Sequence, residues 1–479
     1  MSYSFYDVEA QKKIMPFSEI EEVNRINGEY DVELTHHLEK YKLKKQEASM
    51  IEKLENRLLN TYKQTLSTQG VNGSRLAKRL GELSEIGQLP SGGVSRYGYG
   101  EKEQAAHDLA KLWLEEAGAE VEIDAAGNTI GHIKGQSSAK TFASGSHLDT
   151  VPNGGNFDGT AGVLIAIEVA QAWKAMDYTP PFNYDIIIFR EEEGSQFNMG
   201  VLGSSAFMGL LKKAAFSDLK ATNTGLSFSS TLEHNHLSVA SFFDAKKHRN
   251  YELYIEAHIE QGKVLENAEQ AVGVVSGIAG LADLNFTFTG ISDHAGNTPM
   301  DDRFDPLVTA GRFVYELSLL PETISDSAVA TVGKMNVYPN GANVIAEKVD
   351  VTVDVRDVDL KDRQALEHKI IDCATTLAKE NKISVDYTKT TDVQPVTMDE
   401  ELQTDLKQII KEVTQKETLT LPSGAGHDAM NLAKESPVAM VFIKSHKGIS
   451  HHPAEWSDLS DIVTGVHVVK QFLEKKMNA

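Results

Sequence analysis

Hydrophobic and polar positions divide this 479-residue chain into stretches of different texture. Leu34, Leu38, Ile51, Leu54, Leu58 and Tyr62 fall largely at helical spacing in a segment dense in Lys and Glu and poor in Gly, which predicts a helical N-terminal extension over residues 1–71. "NGSRLAKRLGELSEIG" then reads as an amphipathic helix ended by Gly87, and "EKEQAAHDLAKLWLEEAG" as a second helix. The strand-like stretches "EVEID", "TIGHIKG" and "TFASGSHLDTV" follow, and the helix "GVLIAIEVAQAWKAM" leads into the apolar run "YDIIIF". Strands and helices alternating at these lengths imply an α/β sheet. From about Gly277 the texture changes: the strands "LADLNFTFTG", "SAVATVGKMNVYP" and "KVDVTVDVRDVD" are interleaved with two helices, an order that suggests a separate α+β domain of ferredoxin-like, split βαβ type. Near residue 390 the first texture returns, with "DEELQTDLKQIIKEV" and "SPVAMVFIK". The simplest arrangement is one α/β domain, residues 72–276 and 391–479, with the α+β domain of residues 277–390 inserted in it.

Composition narrows the classes. With 41% hydrophobic and 24% charged residues the chain is an ordinary globular protein. It has no run approaching the roughly 18 apolar residues that span a bilayer. The N-terminus shows no basic segment followed by an apolar core and a small-residue cleavage site, so the expected location is the cytoplasm. A net charge of −22 argues against a nucleic-acid surface, which needs clustered Lys and Arg. The single cysteine, Cys373, excludes an intramolecular disulfide and a thiolate metal cage, and its apolar helical position reads as core. The Gly-rich loop "PSGGVSRYGYG" lacks the GxGxxG spacing of a phosphate cradle.

One junction stands out. In "IIIFREEEGSQF" a run that reads as a buried strand passes straight into three glutamates, at the place where open α/β sheets put their chemistry. "GSHLDTVPNGGNFDG" likewise ends a strand with His147 and offers Asp149 and Asp158, while "EAHIEQG" offers His258 and "GISHHPAEW" offers His451 and His452. Any one of these histidines alone reads as a surface or satisfied buried residue. Together, imidazoles and carboxylates without cysteine suit Zn, Mn, Co or Ni, and bridging acids between two histidine sets could hold two ions. Glu192 and Glu193 could then divide two tasks, one binding metal and the other moving protons.

These segments occur in the order "GSHLDTVPNGGNFDG", "EEEGSQF", "AHIEQG", "SDHAGNTPM", "NVI", "DVR", "PSGAGHD" and "GISHHPAE". From about Asn72 to its end the chain resembles the amidase/hydantoinase/carbamoylase branch of the dinuclear-metal M20 peptidase-like hydrolases. That branch includes N-carbamoyl-L-amino acid hydrolases, β-ureidopropionases of the bacterial and yeast type, and allantoate amidohydrolases. The resemblance implies a catalytic α/β domain of zinc-peptidase type with the inserted ferredoxin-like α+β domain serving as lid and dimerisation domain. It implies one divalent ion on His147 and His258, a second on Glu193 and His451, and Asp158 between them. Asp149 would orient His147, and Glu192 would be the general base. The family pattern SHxP selects His451 over His452 as ligand.

The same resemblance implies that Arg356 binds the substrate carboxylate, that Asn343, Gln261, Gly426 and His427 line the pocket, and that His294 stabilises the oxyanion. The implied reaction is hydrolysis of a linear ureido C–N bond in a small-molecule substrate, most simply an N-carbamoyl-L-amino acid, by a homodimer paired through the lid. Closure would occur about hinges near Gly277 and residue 390. Alternatives are an allantoate amidohydrolase, an aminopeptidase or dipeptidase of the wider family, and a non-catalytic binding or scaffold protein. Two positions depart from the family pattern: Gln196 stands where arginine is usual, and Ala346 where proline follows "NVI".

Overall fold

The computed structural model describes residues 53–245 and 250–479, together with the strands Ser4–Asp7 and Lys12–Pro16, which pair antiparallel. Leu34, Leu38 and Ile51 lie outside the described residues. Leu54 and Leu58 are the buried residues of the helix Leu54–Asn60. The unit Leu54–Ala479 is built on two sheets.

Four strands at the centre of the nine-stranded sheet, Val438–Ile443, Leu253–Ile259, Ser137–His147 and Phe182–Phe189, run parallel. Both faces are covered, which is why these strands read as continuous apolar runs and do not alternate. The run in "IIIF" shows it directly: Ile186 and Ile188 enter one core while Ile187 and Phe189 enter another on the opposite face. Antiparallel strands flank the centre. Thr129–Ile133 pairs with Phe182–Phe189, and Val272–Ile278 pairs with Val438–Ile443. The first core is completed by the helices Gly73–Glu85, Glu101–Ala117, Thr160–Ala175, Glu400–Thr414 and Leu459–Met477. Thr160–Ala175 is buried continuously from Thr160 to Trp173, and the charge it buries, Glu168, is paired with Arg75 at 2.6 Å.

The second sheet is drawn entirely from residues 280–393. Its strands lie in the order Val329–Tyr338, Lys348–Asp357, Gly280–Thr289, Ser384–Val393, all antiparallel. With the helices Pro306–Leu317 and Leu360–Glu380 the chain order is βαββαβ, the split βαβ arrangement. One face carries the core: Ala282, Leu284, Phe286 and Phe288 alternate with half-exposed residues, and Val349, Val351, Val353 and Val355 do the same on the neighbouring strand. Cys373 is half-buried against this core. The chain passes between the sheets at Ile278–Gly280 and again between Val393 and Val396, where Val396 and Thr397 pair with Ile278 and Gly277. Among the described residues, no helix is long and apolar enough to cross a membrane.

Candidate metal centre

The parallel strands end together, and their carboxyl ends carry the unusual residues. His147 is the last residue of Ser137–His147, and His258 is the penultimate residue of Leu253–Ile259. Glu192 and Glu193 follow Phe189 in the loop after the strand Phe182–Phe189, and His451 lies in the loop after Ile443. Asp158 comes two residues before the helix Thr160–Ala175. The three glutamates therefore sit at the lip of the sheet, where the backbone leaves its ladder.

Two groups of ligand-type atoms form there, each with all atoms within 4.8 Å of one another, and Asp158 belongs to both. In the first, Asp158 Oδ1 lies 3.0 Å from His258 Nε2 and 3.7 Å from His147 Nε2. In the second, His451 Nε2 lies 3.2 Å from both Asp158 Oδ2 and Glu193 Oε2. The imidazoles of the first group are turned alike. His147 Nδ1 faces the Asp149 carbonyl at 3.2 Å, and His258 Nδ1 faces the Ile259 carbonyl at 2.9 Å. With Nδ1 carrying the proton, both Nε2 lone pairs point into the cluster.

These residues fit a pair of divalent cations. His147 Nε2 and Glu193 Oε1 are buried without a hydrogen-bond partner, at a cost that a bound cation would remove. The donor set is nitrogen and oxygen only. Charge points the same way. Burial opposes protonation of His147, yet Glu192, Asp149 and Asp158 hold it well above its ordinary value. Hydrogen bonds to Asp158 and Glu193 push His451 up to about 11. The carboxylates thus draw positive charge into the cluster.

A layer of buried carboxylates holds these groups in place. Asp149 Oδ1 and Oδ2 accept from the backbone N–H groups of Glu192 and Glu193, each at 3.0 Å, and Oδ1 lies 3.3 Å from His147 Nδ1. Asp149 therefore touches the His147 ring and both of these glutamate N–H groups at once. Glu191, buried at a left-handed φ of 50°, accepts from the N–H groups of Gln196 and Phe197. Burial and then Asp149 push its carboxyl up to about 9. Glu103 accepts from the N–H groups of Tyr99 and Glu191 and pairs with Arg190 at 2.5 Å. On the opposite side, Glu455 accepts from Phe157 and Asp158, and burial and then Asp158 push it up to about 7.

One glycine is required here. Gly159 has φ +59°, and a Cβ on it would meet His147 ring atoms at 2.4–2.5 Å. Gly159→Ala is expected to cost about 1–3 kcal/mol through strain and displacement of that ring. Denaturant unfolding checks it, and unchanged stability would mean that the ring yields freely.

The other expected site residues are placed as follows. Gln261 Nε2 donates to Asp158 Oδ2 at 2.8 Å, so this side chain rests on the cluster. His427 is buried, bonded to Ser423 Oγ at 2.8 Å, with its ring centroid 4.4 Å from that of His258. Burial and then His258 lower it well below its ordinary value, which leaves the ring neutral. Gly426 is exposed beside it. Arg356 donates to both oxygens of Asp354, at 2.8 and 2.9 Å, and its Nη1 reaches the Gly424 carbonyl at 2.7 Å. His294 and Asn343 are exposed and adjacent: the Asn343 carbonyl accepts from the Ala295 N–H at 3.1 Å. His452 is exposed, its Nδ1 accepting from the Ala454 N–H.

Sequence reasoning passed over Glu103, Asp428, Ser450 and Glu455. Glu455 and Ser450 lie inside the segment "GISHHPAEW", and Asp428 follows His427, so adjacency to a candidate was the available signal. Asp428 is wholly buried, and burial and then Glu256 raise its carboxyl well above the usual range.

Residues 143–475 match the peptidase family M20/M25/M40. An N-carbamoyl-L-amino acid amidohydrolase of Geobacillus stearothermophilus is 38% identical over 401 residues, covering 83% of this chain and 97% of that protein. An allantoate amidohydrolase of Escherichia coli strain K12 is 32% identical over 396 residues, covering 82% of this chain and 95% of that protein. Among solved structures, an amidase of the hydantoinase/carbamoylase family from Burkholderia multivorans superposes with a TM-score of 0.79 at 31% identity, covering 85% of this chain and 98% of its own.

Proposed function

Since the chain belongs to the M20/M25/M40 peptidase family and is a hydrolase of non-peptide C–N bonds of the carbamoylase and allantoate amidohydrolase type, we propose that it converts an N-carbamoyl-L-amino acid to the amino acid, carbon dioxide and ammonia. The observation that carries this reading is the pair of ligand groups sharing Asp158, with the Glu192 carboxylate 3.7 Å from His147 Nε2.

The family is metal-dependent, and here His147 with His258 would hold one divalent ion, Glu193 with His451 the other, and Asp158 both. When bound, such ions polarise a carbonyl and supply hydroxide at neutral pH. Glu192 takes a proton from the attacking water and returns it to the leaving nitrogen. The raised affinity of its carboxyl for protons, caused by burial against the pull of His147, suits that double task. His294 faces the developing oxyanion: its Nδ1 already accepts from the Gly296 and Asn297 N–H groups, at 3.0 and 3.1 Å, which leaves Nε2–H as the donor. Arg356 receives the substrate carboxylate, its planar fork held in orientation by Asp354. Asn343, Gln261, Gly426 and His427 shape the remaining pocket. Residues 277–390 close on the substrate and pair two chains as a homodimer, a reading supported by Val308 and Tyr315, exposed by 63% and 65% on the helix Pro306–Leu317.

The test is ammonia release by purified protein supplied with manganese, cobalt or zinc, across N-carbamoyl-L-amino acids, N-carbamoyl-β-alanine and allantoate. Turnover of the carbamoyl amino acids, abolished by a chelator and restored by the metal, is expected. Turnover of allantoate alone would replace the substrate and keep the site. Hydrolysis of dipeptides with none of these would overturn the reading.

A further inference from the structure

Asp158 is gripped from behind by a side chain with no assigned role. Glu455, 3% exposed, lies in the loop that presents His451. Its Oε1 accepts from the backbone N–H groups of Phe157 at 2.8 Å and Asp158 at 3.1 Å, and its Oε2 accepts from Ser450 Oγ at 2.8 Å. One carboxylate therefore ties together two loops that lie 297 residues apart in the chain and that carry Asp158 and His451. Gly155 leaves it room, since a Cβ there would come within 2.1 Å of Oε1. The adjacent side chains pack in the same sense, with the rings of Phe157 and Trp456 edge to face at 5.5 Å.

The serine gives this arrangement chemical content. Ser450 Oγ lies 2.8 Å from Glu455 Oε2 and 3.1 Å from Asp158 Oδ2, and it accepts from Gln261 Nε2 at 3.1 Å. A hydroxyl has one proton to donate, so the two carboxylates compete for it. As a carboxylate Glu455 accepts at each of its three bonds, and its shorter contact, 2.8 Å against 3.1 Å, takes the Ser450 proton. Asp158 Oδ2, which also accepts from Gln261 Nε2 at 2.8 Å, is then spared one competing donor on the oxygen that faces His451 at 3.2 Å. A carboxamide at 455 would reverse the hydroxyl: its oxygen would still accept from the two N–H groups, but its NH2 would donate to Ser450, whose proton would turn onto Asp158.

We propose that Glu455 is a positioning residue that holds the Ser450 hydroxyl away from Asp158 and fixes the Asp158 and His451 loops to each other, so that Asp158 is free to donate to two cations. The inference rests on Asp158 being a shared ligand, and it concerns metal affinity before any catalytic step.

The experiment is the Zn2+ affinity of metal-stripped full-length protein, read by competition with a chromophoric chelator, for wild type, E455Q, S450A, E455Q/S450A and Gly155→Ala. E455Q is expected to lower affinity about 10- to 100-fold, the usual effect of losing a partner behind a ligand. In the S450A background the same substitution is expected to cost less than about threefold, because no hydroxyl remains to be reversed. Gly155→Ala displaces the same carboxylate without changing its charge and is expected to weaken Zn2+ binding as well, an independent arm should E455Q fail to fold. Wild-type affinity in both E455Q and Gly155→Ala would overturn the proposal, and an equal loss from E455Q with or without Ser450 would overturn its hydroxyl step. Asp158→Asn in the same assay separates the two readings: wild-type affinity there would remove the shared-ligand premise itself.

Discussion

Glu192→Gln is expected to lower kcat by about 10²- to 10⁴-fold, the range typical of a lost general acid–base group, while the bound metal is retained. The argument starts from the backbone. The Glu192 N–H is held by Asp149 Oδ1 and the Glu193 N–H by Asp149 Oδ2, so the glutamate loop is aimed by its main chain and does not depend on the Glu192 side chain for its course. Its carboxyl, 10% exposed, contacts His147 at 3.7 Å and belongs to neither of the two ligand groups. Glutamine keeps the shape and removes only the capacity to take up and return a proton. Metal analysis and steady-state rates on the same preparation check both halves of the expectation. Retained turnover would remove Glu192 as the base, and loss of metal would make it a ligand.

Period and punctuation made most of the fold readable. Gly280–Thr289 alternates buried and half-exposed residues along its whole length, and "IIIF" runs apolar without a break because a central parallel strand is covered on both faces. The helix Glu101–Ala117 stops where Gly118 adopts φ 93°, a conformation glycine takes at little cost. The ligand-type residues were readable because strands run straight into them: His147 ends its strand, His258 is penultimate in its own, and Glu192 and Glu193 follow closely on Phe189.

What sequence could not supply were the partners brought in from far along the chain. Glu103 lies on a helix 88 residues before Glu191, whose N–H it accepts, and nothing local marks it apart from the other glutamates of that helix. Arg356 shows the opposite case. Residues two apart on a strand share a face, so its pairing with Asp354 was implicit in "DVR". At Gln196, where the family pattern has arginine, the backbone N–H is bonded to Glu191 while the side-chain Oε1 is buried without a partner. The arginine's absence thus leaves a neutral side chain beside a neighbouring carboxyl that burial favours in its protonated form.

Asp158→Asn is expected to act where Glu192→Gln does not, on the metal itself. Asp158 faces His258 through Oδ1 and His451 through Oδ2, and these contacts and Gln261 Nε2 take up both of its oxygens. An amide has one acceptor oxygen and places two N–H donors against groups that are themselves donors or ligands, so neither ligand group can survive intact. The loss should exceed the 10- to 100-fold typical of residues behind the ligands. Thermal denaturation reads it without any assay of turnover. At a free ion concentration of 100 Kd the wild-type protein gains about 2.7 kcal/mol from binding, and a protein with 100-fold weaker affinity gains about 0.4 kcal/mol under the same conditions. The rise in Tm on adding Zn2+ or Mn2+ should therefore nearly vanish in Asp158→Asn and persist in Glu192→Gln. Equal rises in both variants would mean that the carboxylate shared by the two groups is a neighbour of the cations and not what joins them.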